Sequence, residues 1–273
     1  MKKVLTHAFF LSISFFGMWY LLGLIDYRSA FKIEELTKEN EQKLGRLILD
    51  AVSQSNKTIT NDSIIAVVEG MKKRICEAND ISDSTITVHI AAVDDVNAFA
   101  LPGRYLVIYS GLIEYCRSSD ELAGVIAHEI AHMEHDHVMK KMVKEIGLAM
   151  VISLSSGESG AEIVRQTVKM LSSTAFDREQ ESEADATGVH YMAKADIDPQ
   201  ASADFLFRLS HEKENIATRF EWLNTHPNSA DRAAEVLKLR KRETFTARPA
   251  SDSLSWKKFQ KNVRVKAEEK DLF

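Results

Sequence analysis

His128 and His132 stand four residues apart inside a segment whose other positions are apolar, and that spacing constrains the chain more than any other feature. Leu122, Val125, Ile126 and Ile130 surround the pair, Ser119 or Asp120 can cap the segment, and Glu121 lies in its first turn, so a helix is expected from 119 to about 144. On a helix, residues i and i+4 share a face, so both imidazoles can be directed at one ion, with Glu129 beside them. His128-Glu129-Ile130-Ala131-His132 therefore reads as two ligands and a carboxylate base for one zinc ion per chain. Zinc acidifies water and polarises a carbonyl, and Glu129 is placed to move the proton, which is the chemistry of peptide hydrolysis. The bland alternative is a solvated polar helix face. It conflicts with the apolar neighbours, since two imidazoles and a carboxylate buried without a metal or partners are costly.

A catalytic zinc takes a third protein ligand. Arg178-Glu179-Gln180-Glu181-Ser182-Glu183-Ala184-Asp185 is the nearest source of carboxylates downstream. Glu181 and Asp185 share a helical face, whereas Glu183 points roughly 160° from Glu181 at about 100° per residue. Glu181 is the expected ligand and Asp185 the group that orients a ligand histidine. Glu179 and Glu183 are expected on a charged surface face.

With these residues in view, the chain resembles the HtpX-like and CAAX-prenyl-protease-like (Oma-like) zinc metallopeptidases of the gluzincin type. Four stretches match in order: Asn97-Ala98-Phe99-Ala100-Leu101-Pro102-Gly103, His128 to His132, Glu181-Ser182-Glu183-Ala184-Asp185, and Thr225-His226-Pro227. The resemblance implies that the first Glu of the third motif is a metal ligand, in agreement with the helical phase of Glu181. One departure is Arg104, where the family usually has a second glycine after Pro102-Gly103.

The resemblance also implies that Asn97, Ala98, Phe99 and Ala100 form an edge strand along the cleft, where an extended substrate adds by main-chain hydrogen bonds. The alternative is an ordinary hairpin that packs Phe99 and Leu101 into the core. In related proteins the histidine before this proline approaches the zinc, which leaves His226 two roles: blocking the metal in a resting state, or stabilising an oxyanion. A third is capping a helix that begins near Ser229. Arg232, one turn into that helix, either holds a carboxylate of the site or makes a surface pair. His137 lies about 140° around the helix from His132, so a structural hydrogen bond is expected of it. His135 is expected in solvent, and His89, His190 and His211 carry no spacing signal.

The chain of 273 residues is 45% apolar and 27% charged, enough for one substantial core. Its formal charge of −5 gives no basic excess that would suggest nucleic acid. Cys76 and Cys116 are too few for a disulfide framework or a cysteine zinc site; they either form one bridge or are two buried thiols. Lys2 and Lys3 precede an uncharged stretch from Ala8 to Ile25, which as a helix would span about 27 Å, close to the thickness of a bilayer core. Arg28-Ser29-Ala30 is a poor cleavage site, so an uncleaved signal anchor is expected over 1–29 in preference to a cleaved secretory form. Charges flank both sides of the stretch, and the charge rule alone does not set its orientation.

The expected architecture is α+β and mainly helical, a zincin-like metallopeptidase domain over 30–243 with a small β-sheet, an N-terminal transmembrane helix before it and a polar tail over 244–273. Helices are expected over 34–55, 62–78 (capped by Asn61 or Asp62), 119–144, 161–193, 199–213 and 229–242. Strands are expected over 85–90 and 105–109, and the metal between the 119–144 and 161–193 helices. The expected function is hydrolysis of unfolded or membrane-associated proteins by a protease anchored in a bacterial inner membrane and facing the periplasm. The competing function is an assembly factor that holds client strands in the same cleft with little proteolysis.

Overall fold

The computed structural model describes residues 38–157, 159–212 and 220–268. The expected anchor over 1–29 lies outside them, and no described helix is long and apolar enough to cross a membrane. Two helices open the described chain, α1 (Lys38–Ser55) and α2 (Asp62–Ala78). Leu44, Ile48 and Val52 form the buried stripe of α1. In α2 the stripe is Ile64, Val68, Met71 and Ile75, and the Asn61 side chain caps the helix by accepting from the Ile64 amide at 3.2 Å.

The sheet has three strands in the order β1–β3–β2: β1 (Thr87–Ala91) runs parallel to β3 (Tyr105–Tyr109), and β2 (Ala98–Leu101) runs antiparallel to it. The first strand starts later than its alternation suggests. Thr85 instead turns its amide and hydroxyl onto the Ser82 carbonyl, at 3.1 and 2.7 Å, and closes a turn. All five residues of the central β3 are buried. The turn from β2 to β3 places both Gly103 and Arg104 at positive φ, 70° and 65°. Only the first of these has the residue that suits it, and Arg104 carries a left-handed backbone that glycine adopts without cost.

Short helix α3 (Ser110–Tyr115) leads to α4 (Ser119–Glu134), which runs through the middle of the molecule with nearly every residue buried. Its cap is Ser118, one residue before the expected candidates, whose side chain accepts from the Glu121 amide at 3.3 Å. The helix expected to reach 144 breaks at His135–Asp136, where Asp136 adopts φ 55°, and α5 (His137–Ile146) starts in a new direction. The apolar stretch that follows is a helix, α6 (Leu148–Ser156).

The helix expected over 161–193 is likewise two, α7 (Ala161–Ser173) and α8 (Arg178–Lys194). Phe176 in the break turns inward and its amide donates to the Thr225 carbonyl at 3.1 Å, while the Gln180 side chain accepts from the Asp177 amide at 3.1 Å to start α8. Helix α8 presents Glu181, Ala184, Asp185, Gly188, Val189 and Met192 inward, and it packs most extensively on α4. Helices α9 (Gln200–His211) and α11 (Ser229–Arg240) pack on each other and share Val189, Ala203, Leu206, Ala233 and Val236 as a secondary core, and α9 also lies against α4, where Arg208 donates to Glu121. Between them in sequence lies α10 (Glu221–Thr225).

The polar stretch from Thr244 contains a final helix, α12 (Ser253–Glu268), whose Trp256, Phe259 and Val263 are buried. Gln260 donates to the carbonyls of Ile113, Glu114 and Cys116 at 2.9, 3.2 and 2.7 Å, satisfying the end of α3. Cys76 and Cys116 are both free and buried.

Helix α1 crosses the β2–β3 turn so closely that a Cβ on Gly45 would stand 1.9 Å from the Pro102 carbonyl oxygen, whereas one on Gly70 of α2 would meet nothing within 4 Å. Gly45→Ala is therefore expected to destabilise the fold by about 1–3 kcal/mol. Gly70→Ala is expected to stabilise it by up to about 1 kcal/mol, both read from denaturant midpoints.

Candidate metal centre

Four helices converge where the buried face of α4 meets α8. Helix α4 brings His128, Glu129 and His132, α8 brings Glu181 and Asp185, the residue after α10 is His226, and the first turn of α11 supplies Arg232. Glu129, His132 and His226 are fully buried, and Glu181 is 2% exposed. His128, His132, Glu181 and His226 each offer one ligand atom, all within 4.8 Å of one another.

The distances fit a metal. The two Nε2 atoms of His128 and His132 lie 3.1 Å apart, and they are 3.7 and 3.4 Å from oxygens of Glu181. A tetrahedron with bonds of about 2.0–2.1 Å to nitrogen and oxygen has edges of about 3.3–3.4 Å. The outer nitrogens are held as well. His128 Nδ1 lies 3.1 Å from Asp185 Oδ1, and His132 Nδ1 lies 3.0 Å from His137 Nδ1. Such contacts leave the Nε2 lone pairs facing the centre. His226 adds a fourth donor, with Nδ1 3.3 Å from His128 Nε2 and 2.8 Å from Glu181 Oε1.

Arg232 neutralises the carboxylates from behind. Its Nε and Nη2 donate to the two oxygens of Asp185, each at 2.7 Å, and its Nη1 pairs with Glu181 Oε2. Burial pushes the Glu181 carboxyl up, but the adjoining His226 imidazole and the Arg232 guanidinium outweigh it and hold Glu181 well below the usual carboxylate range. Burial likewise opposes ionisation of Asp185, and the Arg232 charge and hydrogen bonds prevail, bringing it down to about 2. Glu129 has no such cation. Burial pushes it up to about 7, countered in part by His128 and by a hydrogen bond from the Ala100 amide. That amide donates to Glu129 Oε2 at 2.9 Å, so the carboxylate is tethered to the outer edge of β2. Its other oxygen is buried without a hydrogen-bond partner, 3.4 Å from an equally unpartnered His226 Nε2. Burial lowers His226 to about 4, so its imidazole is neutral near pH 7.

Two aromatic rings complete the site, and neither carries a motif. Trp222 stacks on His226 with centroids 3.9 Å apart, and Phe176 stacks on His132 at 4.0 Å. Lys141 of α5, itself buried, sits 4.2 Å over the Phe176 ring and donates to the carbonyls of Leu171 and Thr174 at 3.3 and 2.5 Å. Trp222 precedes His226 by one helical turn, which is the one sequence signal that could have pointed to it.

Asn97, expected in the substrate strand, is buried just before β2 and donates to Ser172 O and Glu221 Oε2, each at 3.2 Å. Ala98, Phe99 and Ala100 are β2 itself, and Phe99 is buried beside Tyr109. His137 is not among the four converging donors but contacts one of them, and it reaches Glu183, which stands half exposed on the surface face where the helical phase puts it. His135 is half-buried, held by Thr187 at 2.8 Å, and is therefore not simply solvated.

The profile of peptidase family M48 matches residues 60–240. The chain belongs to this family. As an M48 member it is a metallopeptidase, and the matched span holds every residue of the centre. It is 27% identical over 301 residues to the mitochondrial metalloendopeptidase OMA1 of Bos taurus, covering 96% of this chain and 57% of that protein. It is 26% identical over 171 residues to the mitochondrial metalloendopeptidase OMA1 of Schizosaccharomyces pombe, covering 62% of this chain and 51% of that one. A beta-barrel assembly-enhancing protease of Yersinia pestis is 25% identical over 214 residues, 74% of this chain and 44% of its own length. The chain thus spans roughly half the length of these relatives.

Arg232 is the only cation in contact with both buried carboxylates among the described hydrogen bonds and ion pairs. Arg232→Met is expected to destabilise the M48 domain by about 3–5 kcal/mol, since it leaves two buried charges uncompensated. Denaturant unfolding in the presence of a chelator measures this without the contribution of a bound ion.

Proposed function

We propose that the chain is a zinc endopeptidase acting on extended protein segments, with His128, His132 and Glu181 holding one zinc ion per chain. The observation that carries this reading is the convergence of two Nε2 atoms and a carboxylate at the edge lengths of a tetrahedral site, beside a buried carboxylate with one free oxygen. Zinc, when bound, supplies the Lewis acidity that acidifies water and polarises a peptide carbonyl. Glu129 Oε1 accepts the proton of the attacking water and returns it to the leaving amine, a task suited to a carboxylate pushed up to about 7. Asp185 holds the ring of His128, and Arg232 keeps both Asp185 and Glu181 ionised.

The outer edge of β2, at Ala98 to Ala100, is the surface on which a substrate strand would pair; Asn97, tied to Ser172 and Glu221, anchors the start of that edge. Main-chain pairing gives broad sequence tolerance and suits unfolded proteins. The hydrophobic stretch of residues 8–25 supports a signal anchor over 1–29 in a bacterial inner membrane, with the catalytic domain in the periplasm. The role that fits is quality control of misfolded or membrane-associated envelope proteins, and one relative is itself named a beta-barrel assembly-enhancing protease.

A second element of the reading concerns control. His226 is stacked on Trp222, bonded to Glu181, and faces the free oxygen of Glu129, so it fills the space a substrate carbonyl would need. The site is thus held shut, and proteolysis is regulated rather than constitutive. This arrangement also keeps alive the chaperone-like reading, in which the cleft holds client strands with little cleavage.

Two measurements test the proposal. Glu129→Gln is expected to lower cleavage of an unfolded protein at least about 100-fold while keeping one zinc per chain by metal analysis; full activity without metal would refute it. His226→Ala is expected to raise the rate of cleavage with zinc content unchanged, whereas a loss of activity would instead assign His226 to the oxyanion.

A further inference from the structure

Beyond the centre, a line of polar contacts runs from His132 to the surface. His132 Nδ1 lies 3.0 Å from His137 Nδ1. His137 Nε2 lies 3.1 Å from Glu183 Oε2, and the other Glu183 oxygen lies 3.3 Å from His135 Nδ1. His135 Nε2 is in turn 2.8 Å from the Thr187 hydroxyl. The line bridges three elements, because His135 caps the end of α4, α5 begins at His137, and Glu183 and Thr187 lie one turn apart on α8.

Proton positions along this line are mutually constrained. Glu183 only accepts when ionised, so His137 must carry its proton on Nε2 and leave Nδ1 as an acceptor. His132 must then carry its proton on Nδ1, which frees its Nε2 lone pair. With its proton on Nε2 instead, His132 would leave its Nδ1 and the His137 Nδ1 facing each other as two acceptors 3.0 Å apart. One exposed carboxylate thus sets the tautomer of a buried ring two residues removed from it in the chain of contacts. Thr187 and His135 aim that carboxylate, and the stacking of His135 on His137, 5.3 Å apart at 20°, keeps the two rings in register.

We infer that His137 and Glu183 are positioning residues for zinc binding, and that Glu183, acting through His137, fixes His132 in the one tautomer that can ligate. The inference rests on the reading of His132 as a zinc ligand. It gives the two ligand histidines different supports: His128 is backed directly by the buried Asp185, and His132 by a neutral ring with a half-exposed carboxylate behind it. It also accounts for the break at His135–Asp136. A continuous helix would carry His137 about 140° away from His132, whereas the left-handed Asp136 returns it to within hydrogen-bond distance.

The test is zinc affinity of the full chain by competition with a chromogenic chelator, with thermal midpoints recorded alongside. His137→Phe is expected to weaken zinc binding about 10–100-fold. His137→Gln, whose amide oxygen can accept from His132, is expected to recover most of that loss. Glu183→Ala is expected to weaken binding several-fold with an unchanged thermal midpoint of the zinc-free chain, since its side chain is half exposed, and to have no further effect when combined with His137→Phe. Unchanged affinity in Glu183→Ala, or losses that simply add in the double variant, would overturn the inference. If His137→Phe does not fold, Glu183→Ala and His137→Gln decide it. A wild-type chain that binds no zinc would instead overturn the metal reading itself.

Discussion

Helices α4, α8 and α11 are joined by a single guanidinium set against two carboxylates. Arg232 reaches both oxygens of Asp185 and one of Glu181, and Asp185 in turn holds His128. Charges buried this deeply are tolerated only when opposed, so the three helices must keep their mutual register for the interior to remain soluble to charge at all. The balance is also incomplete. One positive charge faces two ionised carboxylates beside neutral imidazoles, and the excess negative charge is what a divalent cation at the centre would offset.

The same constraint explains why the site is built from helices and only touched by the sheet. Helical spacing delivers His128 with His132, and Glu181 with Asp185, as rigid pairs. The sheet contributes a main-chain donor, the Ala100 amide, which holds one oxygen of Glu129 and leaves the other free. The Glu129 carboxylate and the strand edge are therefore one unit. Segment 220–226 contacts the chain just ahead of β2 and the carboxylate itself: the Trp222 amide donates to Val96 O at 3.1 Å, and His226 faces Glu129. Under the proposed function, access along β2 and chemistry at Glu129 both depend on these few residues.

Periodicity made most elements legible: α1, α2, α9, α11 and β3 lie close to where their apolar spacing puts them. The misreadings share a cause. The breaks at 135–136 and 174–177 fall within continuous helical patterns, and what ends the helices there is long-range, namely the pull of His137 onto His132 and of Phe176 onto His132 and Thr225. The helix α12 was hidden because three apolar residues, Trp256, Phe259 and Val263, form its whole buried stripe. Trp222, Phe176 and Lys141 escaped because an aromatic or a lysine without a motif looks the same whether it lines a site or a core.

By itself, the amino-acid sequence determined the chemistry of the centre: an i, i+4 histidine pair with a carboxylate between, and an i, i+4 Glu–Asp pair to face it, because helical geometry is local and can be counted along the chain. Tertiary structure alone decided what surrounds those groups. It set His226 against both Glu181 and Glu129, brought Arg232 inside rather than to the surface, and joined the surface charge of Glu183 through His137 to His132. Those outcomes depend on how separate helices cross, and a side chain's partner across a helix interface is set by packing that no local spacing encodes.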